Sequence, residues 1–298
     1  MHFLKKESLI FQNSGIKSWI IAIRPKTLFA SFCPVTVGGA IAYADGRFHL
    51  PSFLFALISA VFIQIGTNLA NDYYDFIHKI DTSERIGPVR VVQAGLISAD
   101  KVKKAFIFCF LLSSISGLYL ILRAGIPILI IGILSITFGI LYSALPSFCF
   151  LSDLAVAIFF GPVAVSGTYY VQALSIERKA VIAGIPPGLI STAILVVNNL
   201  RDMESDKKAG KRTLTVIFGK RFGKAEYFFL ILSSFFFPFL LKERRYHLMC
   251  EACILFFIPS LLRIYRKDPG PEYNKILQDT SFLLFAYSML FSLGWIIG

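Results

Sequence analysis

The chain has 298 residues, of which 56% are apolar and only 16% charged, and its 30 Lys and Arg against 18 Asp and Glu give a formal charge of +12. A water-soluble domain carries about 25% charged residues and roughly 45–50% apolar ones with glycine included, so a soluble enzyme, a disordered factor and a disulfide-stapled secreted module are excluded. Excess positive charge in a soluble chain suggests nucleic acid; here it falls mostly between apolar runs, where membrane topology accounts for it, and no nucleic-acid partner is expected.

Apolar runs long enough to cross a bilayer, about 17–25 residues each, recur along the whole chain. The predicted fold class is an all-α polytopic membrane protein, with nine transmembrane helices in one intramembrane domain over 1–298. The first span, near 19–43, is interrupted at its start by Arg24, Pro25 and Lys26. That interruption argues against a signal-peptide core and marks an interfacial segment leading into the span. The second, near 52–76, ends in the acidic run Asn68-Leu-Ala-Asn71-Asp72-Tyr-Tyr-Asp75, followed by Asp81, Arg85 and Arg90. Spans near 103–122 and 125–144 come next, with Tyr142 at the end of the fourth. The fifth, near 151–173, opens on Asp153. The sixth, near 179–200, ends in a second acidic run, Asn198-Asn199-Leu-Arg201-Asp202-Met-Glu204-Ser-Asp206, followed by Lys211 and Arg212. Spans near 225–241, 247–264 and 280–297 complete the set, the seventh being the shortest.

Prolines at 34, 162, 186, 187, 238 and 259 are expected to kink helices or lie beside them. Gly38, Gly39, Gly132, Gly139, Gly161 and Gly167 are expected to allow close helix approach. Cys250 and Cys253 read as packing residues, and the four histidines have no pair at helical spacing, which argues against zinc or haem. With the N-terminus cytoplasmic, 23 Lys and Arg fall on the cytoplasmic side and seven outside. Short cytoplasmic loops carry the basic excess, so the N-terminus is expected inside and the C-terminus outside.

The two acidic runs are the informative part. If helices continue through both, Asn68, Asp72 and Asp75 share one face, and Asn198, Asp202 and Asp206 share another. Both runs place an Asp four residues after an Asn, 130 residues apart, at the same membrane edge. Carboxylates stacked on one face repel, and ionisable groups beside apolar spans usually have a task. A hard cation compensates them best: Mg2+ takes oxygen ligands, often one or two carboxylates, and completes its shell with water and substrate phosphates. Arg85, Arg90, Lys211 and Arg212 add contacts for phosphoryl oxygens. Carboxylates and cations together suit a metal-chelated diphosphate, and the apolar interior suits a lipid tail on it. Tyr142 and Asp153 lie near the same edge as further candidates.

These runs resemble the UbiA superfamily of intramembrane aromatic prenyltransferases, which carries an Asn-Asp-x-x-Asp motif after the second helix and an Asp-x-x-x-Asp motif after the sixth. Within it, Asn68 to Asp75, Asp81, Arg85-Ile-Gly-Pro-Val-Arg90 and Gln93-Ala-Gly95, with Asn199-Leu-Arg-Asp202, Asp206, Gly210-Lys211 and Thr213-Leu214, look most like the branch that prenylates 1,4-dihydroxy-2-naphthoate. The resemblance implies Mg2+-dependent transfer of a polyprenyl group from polyprenyl diphosphate to the naphthoate, with loss of CO2 and release of pyrophosphate, giving demethylmenaquinone. It implies that Asp72, Asp75, Asp202 and Asp206 bind Mg2+–diphosphate, with Asp81 a further member. Lys211, Arg85 and Arg90 would then contact diphosphate or the aromatic acid, and Asn68, Asn71, Asn198, Asn199, Arg201 and Arg212 would complete the site. The expected location is the inner membrane, with the site opening toward the cytoplasm. Two features depart from the family pattern. Lys79 stands where glycine is common, and the loop after Tyr142, Ser-Ala-Leu-Pro-Ser-Phe, lacks the basic residues many relatives carry. The same reaction on another acceptor, such as 4-hydroxybenzoate or homogentisate, and a secondary transporter are the alternatives.

Overall fold

The computed structural model describes residues 15–80, 86–242 and 245–298. Among these residues nine segments are long and apolar enough to cross a membrane: α1 (Gly15–Ala44), α2 (Leu50–Ile77), α3 (Ala99–Ala124), α4 (Ile126–Ala144), α5 (Cys149–Ala173), α6 (Arg178–Arg201), α7 (Lys220–Leu240), α8 (His247–Arg266) and α9 (Tyr273–Ile297). Each falls on one of the nine expected runs. The largest displacement is at α9, which begins at Tyr273 rather than near 280. Its first turns carry Asn274, Lys275, Gln278 and Asp279, which lower the average hydropathy, yet Tyr273 and Ile276 are fully buried.

Ile115, Leu122, Ile126, Phe229, Phe256 and Phe282 lie exposed on the outside, as a lipid-facing surface requires, and helices satisfy every backbone group that lipid cannot. Inside, α6 packs against α1, α5, α7 and α9, while α2 pairs with α3 and α4. The α5–α6 crossing depends on glycine: a Cβ on Gly184 would lie 2.7 Å from Pro162 Cα. Gly38, Gly39, Gly139 and Gly161 are close-approach points as expected. Gly132 and Gly167 are not. Nothing lies within 4 Å of a Cβ on Gly132, and one on Gly167 meets only Ile131 Cδ1 at 3.8 Å; both face a central cavity instead. Cys250 and Cys253 are buried free thiols.

Three local features position the candidate site. First, α1 breaks at Arg24, which takes the left-handed conformation (φ 55) between a helix ending at Ile23 and a 3-10 turn over Pro25–Leu28. Pro25 causes this, because a residue before proline is driven out of the right-handed helical region. Second, α2 runs unbroken through the first acidic run, so Asn68, Asp72 and Asp75 do share a face. It ends as a Schellman motif, with the Ile80 N–H donating to the Asp75 carbonyl at 2.9 Å and the Lys79 N–H to that of Phe76 at 3.1 Å. Lys79 is the left-handed residue of that motif, at φ 54. Glycine is favoured in that position because it has no Cβ to clash, which explains the family preference physically.

Third, the second acidic run is not one continuous helix. α6 stops at Arg201, Asp202 sits at φ −94 and ψ 5, and a short helix over Met203–Lys208 follows. That helix closes as the first run does: the Lys211 N–H donates to the Asp206 carbonyl at 2.9 Å, and Gly210 supplies the left-handed residue at φ 75.

Candidate active site

A cavity of about 520 Å3 runs between α1–α6, its walls mostly apolar. Its polar mouth lies where α2 and α6 end. Asn68, Asn71, Asn198, Asn199, Asp202, Asp206, Lys211, Arg90 and Tyr142 all line it, joined by Arg24 from the break in α1. Residues 130 positions apart in sequence therefore meet at one end of the bundle.

In the first cluster Asp72 and Asp75 are almost wholly buried. The Arg90 guanidinium bridges them, Nη1 to Asp72 Oδ1 at 3.2 Å and Nη2 to Asp75 Oδ2 at 2.7 Å. The Val91 N–H donates to Asp72 Oδ2 at 2.9 Å. Arg24 adds a longer contact, 3.3 Å to Asp72 Oδ1. Asn68 stitches the break in α1 to α2: its Nδ2 donates to the Ile23 carbonyl and to Thr27 Oγ1, both at 2.9 Å, and its Oδ1 accepts from Gln64 at 3.3 Å. This clamp offsets the roughly 1–2 kcal/mol that a left-handed residue costs.

In the second cluster Arg201 folds back onto Asp202 in a two-pronged contact, 2.8 Å to Oδ1 and 2.7 Å to Oδ2. Its remaining groups reach Asn198 Oδ1 at 2.8 Å and Asn274 Oδ1 at 3.0 Å, tying the α6 end to α9. Lys211 joins the clusters, with Nζ 3.0 Å from Asp75 Oδ1 and 3.9 Å from Asp206 Oδ1. Burial alone would lower the Lys211 pKa, but the Asp75 and Asp206 carboxylates outweigh it and hold the ammonium above the usual lysine range.

Among the described residues four carboxylates, Asp72, Asp75, Asp202 and Asp206, thus meet four cations, Arg24, Arg90, Arg201 and Lys211. The donors are all oxygen, which suits a hard ion such as Mg2+. Among the described residues no group of three or more His, Cys, Asp and Glu is gathered tightly enough to hold an ion by itself. An ion here needs oxygens from both clusters or from a ligand.

The remaining candidates divide. Asn199 lines the cavity with a buried Nδ2 that has no hydrogen-bond partner among the described residues, so it is poised to donate. Tyr142 lines the cavity too. Asp72 and Asp75 do not themselves line it; Arg24, Arg90 and Lys211 lie between them and the opening. Asp153 departs from expectation. Ser152, Ala155, Val156 and Phe159 occupy the cavity face of α5, and Asp153 falls one residue off that face, buried away from the opening. Arg201 grips Asp202 instead of facing the cavity, and the Arg212 side chain is exposed to one side, with only its backbone N–H engaged, on the Pro146 carbonyl at 3.2 Å. Asp81 and Arg85 lie outside the described residues. Sequence reasoning missed Arg24 and Gln64 as site groups; a cation and an amide inside apolar spans were the available signal.

The sequence profile of the UbiA prenyltransferase family matches residues 31–288. The 1,4-dihydroxy-2-naphthoate octaprenyltransferase of Escherichia coli is 38% identical over 75% of each chain, and that of Haemophilus influenzae is 33% identical over 96% of this chain and 98% of its own length. A UbiA homolog from Archaeoglobus fulgidus, solved bound to GPP and Mg2+, superposes with a TM-score of 0.68 at 17% identity, covering 94% of this chain and all of the other. Paired acidic helix ends, a polar mouth on an apolar cavity, a nine-segment bundle and a profile match along most of its length together make this chain a member of the UbiA prenyltransferase family.

Proposed function

We propose that this protein transfers a polyprenyl group from its diphosphate to 1,4-dihydroxy-2-naphthoate, a step of menaquinone synthesis. The observation that carries the reading is the meeting of two carboxylate pairs and Lys211 at the mouth of an apolar cavity. A diphosphate carries multiple negative charges, and the carboxylates at the mouth would repel it unless a bound cation intervened. Mg2+ bound with the diphosphate would be that cation and stabilise charge on the departing pyrophosphate. Asp72 and Asp75 on one side and Asp202 and Asp206 on the other would hold it; use of Mg2+ is supported by a structural relative solved with GPP and Mg2+ bound.

The chain's own residues then act as follows. Lys211, firmly cationic, and Arg90 and Arg24 move from the carboxylates toward the phosphoryl oxygens and take up negative charge as the carbon–oxygen bond breaks. Asn199 Nδ2 donates to a substrate oxygen. The apolar walls exclude water from the allylic cation, and aromatic side chains lining the cavity, Tyr142 among them, would shield it. The ring carbon bearing the carboxylate bonds to that cation, and CO2 leaves, returning its electron pair to the ring. The products are demethylmenaquinone in its reduced form, CO2 and pyrophosphate, with no proton left unplaced.

The bundle acts as one domain in the inner membrane, with the N-terminus and the mouth on the cytoplasmic side and the C-terminus outside; the 23-to-7 distribution of basic residues supports this. An acceptor panel tests the reading. Purified protein in liposomes receives octaprenyl diphosphate, Mg2+ and one of 1,4-dihydroxy-2-naphthoate, 4-hydroxybenzoate or homogentisate. Prenylated product from the naphthoate alone is expected; product from another acid alone would overturn the acceptor assignment.

A further inference from the structure

Gln64 stands on the cavity wall eight residues before Asp72 on the unbroken α2, about 12 Å deeper into the bundle at a rise of about 1.5 Å per residue. It is only 8% exposed. The break in α1 fixes which way its amide is turned. The Ile23 carbonyl can only accept a hydrogen bond, and it accepts from Asn68 at 2.9 Å. Asn68 therefore turns Nδ2 toward α1 and Oδ1 toward Gln64. That oxygen also can only accept, so Gln64 gives it Nε2 at 3.3 Å. Gln64 Oε1 is the group left over, buried and with no hydrogen-bond partner among the described residues.

A buried acceptor of this kind calls for a donor, because leaving it unmet is costly. The hydroxyls of Thr27, Ser31, Ser59, Ser113 and Ser114 line the same cavity, but each gives its proton to a backbone carbonyl. Ser191 Oγ, on α6, is itself unpartnered among the described residues and so does not bond Gln64. A prenyl diphosphate offers no donor either: its tail is hydrocarbon and its ionised phosphates only accept. The aromatic acceptor does. In 1,4-dihydroxy-2-naphthoate the 1-hydroxyl lies next to the carboxylate and donates to it within the molecule, whereas the 4-hydroxyl has no internal partner. With the carboxylate edge at the polar mouth, where the prenyl group arrives, the 4-hydroxyl is carried inward toward the depth of Gln64.

We infer that Gln64 Oε1 accepts the hydrogen bond of the aromatic acceptor's 4-hydroxyl, and that this contact selects a 1,4-dihydroxy acid over one whose single hydroxyl sits beside the carboxylate. This rests on the prenyltransferase reading. The 4-oxygen is meta to the carbon that is prenylated, so the bond orients the ring and sets specificity; it does not feed electrons to the reacting carbon. An acid without that hydroxyl leaves the buried oxygen unpaired, and sites built to bond a substrate hydroxyl reject such analogues strongly.

Binding tests this without turnover. Purified protein, with Mg2+ and a thiolo analogue of geranyl diphosphate in place of the reactive donor, is titrated anaerobically with 1,4-dihydroxy-2-naphthoate or with 1-hydroxy-2-naphthoate. Wild type is expected to bind the dihydroxy acid roughly tenfold or more the tighter, the effect of one unpaired buried acceptor. Gln64→Leu is expected to bind the two acids within about twofold of each other, because the hydroxyl and the amide act as a coupled pair. If Gln64 served only to hold Asn68 in place, its loss would weaken both acids by the same factor and keep the wild-type ratio. That result, or a wild type that does not distinguish the acids, overturns the proposal. A third acid needs no variant: 1-hydroxy-4-methoxy-2-naphthoate keeps the 4-oxygen but carries no proton on it, and is expected to bind as weakly as the monohydroxy acid or more weakly. Binding as tight as that of the dihydroxy acid would overturn the donor role. A wild type that neither binds nor prenylates the dihydroxy acid would contradict the enzyme reading itself.

Discussion

Replacing Lys79 by glycine is expected to stabilise the protein without altering its chemistry. Lys79 holds φ 54 at the end of α2, and an L-residue pays about 1–2 kcal/mol for that conformation. Glycine removes the strain but loses more chain entropy on folding, about 0.5–1 kcal/mol. The net gain is about 0–1.5 kcal/mol. The Lys79 side chain is exposed and does not line the cavity, so kcat/KM should stay within twofold. Unfolding in detergent micelles, comparing wild type, Lys79→Ala and Lys79→Gly, measures the effect. Alanine keeps the strain and should match wild type, while glycine should exceed both. A less stable glycine variant would refute the strain argument. A tenfold fall in turnover at unchanged stability would show that the lysine ammonium, not the backbone turn, is what the position supplies.

Other predictions follow from the site and the packing. Asp72→Ala and Asp202→Ala should each cut turnover by roughly 10^3 or more while leaving membrane insertion intact, since each removes a ligand for the Mg2+ that would offset the charge on departing pyrophosphate; wild-type rates at saturating Mg2+ would contradict the site. Arg90→Ala strips the bridging cation from two buried carboxylates, 3.2 and 2.7 Å away, and should destabilise the fold by about 3–5 kcal/mol, read as a lowered unfolding midpoint. Gly188→Ala would press a methyl into the Ala157 carbonyl across the α5–α6 crossing; a loss of about 1–3 kcal/mol is expected, and an unchanged midpoint would show that the crossing yields easily.

The spans were legible because a bilayer imposes a strong rule: an apolar run of fixed length that only a helix can satisfy. The two acidic runs were legible for the same reason, because carboxylates at helical spacing beside such runs need compensation. Their partners were less so. Arg24 lies 48 residues before Asp72, and only the Pro25-induced break turns it toward the site. The break at Asp202 was invisible to periodicity, since Asn198, Asp202 and Asp206 keep four-residue spacing across it. Asp153 shows the limit of edge arguments: proximity to the membrane edge was readable, but a single step in helical register decides between facing the cavity and facing away. Lys79 was seen as a departure from the family pattern, and its meaning emerged only with the backbone angle.

The most direct test of the account follows three products at once. Purified protein in liposomes is given 1,4-dihydroxy-2-naphthoate and octaprenyl diphosphate, with Mg2+ or with EDTA, and prenylated naphthoquinol, CO2 and pyrophosphate are quantified by mass spectrometry. The account predicts all three in equal amounts with Mg2+, none with EDTA, and recovery when Mg2+ is restored. Undiminished turnover in EDTA, or none from folded protein with Mg2+ present, would contradict it.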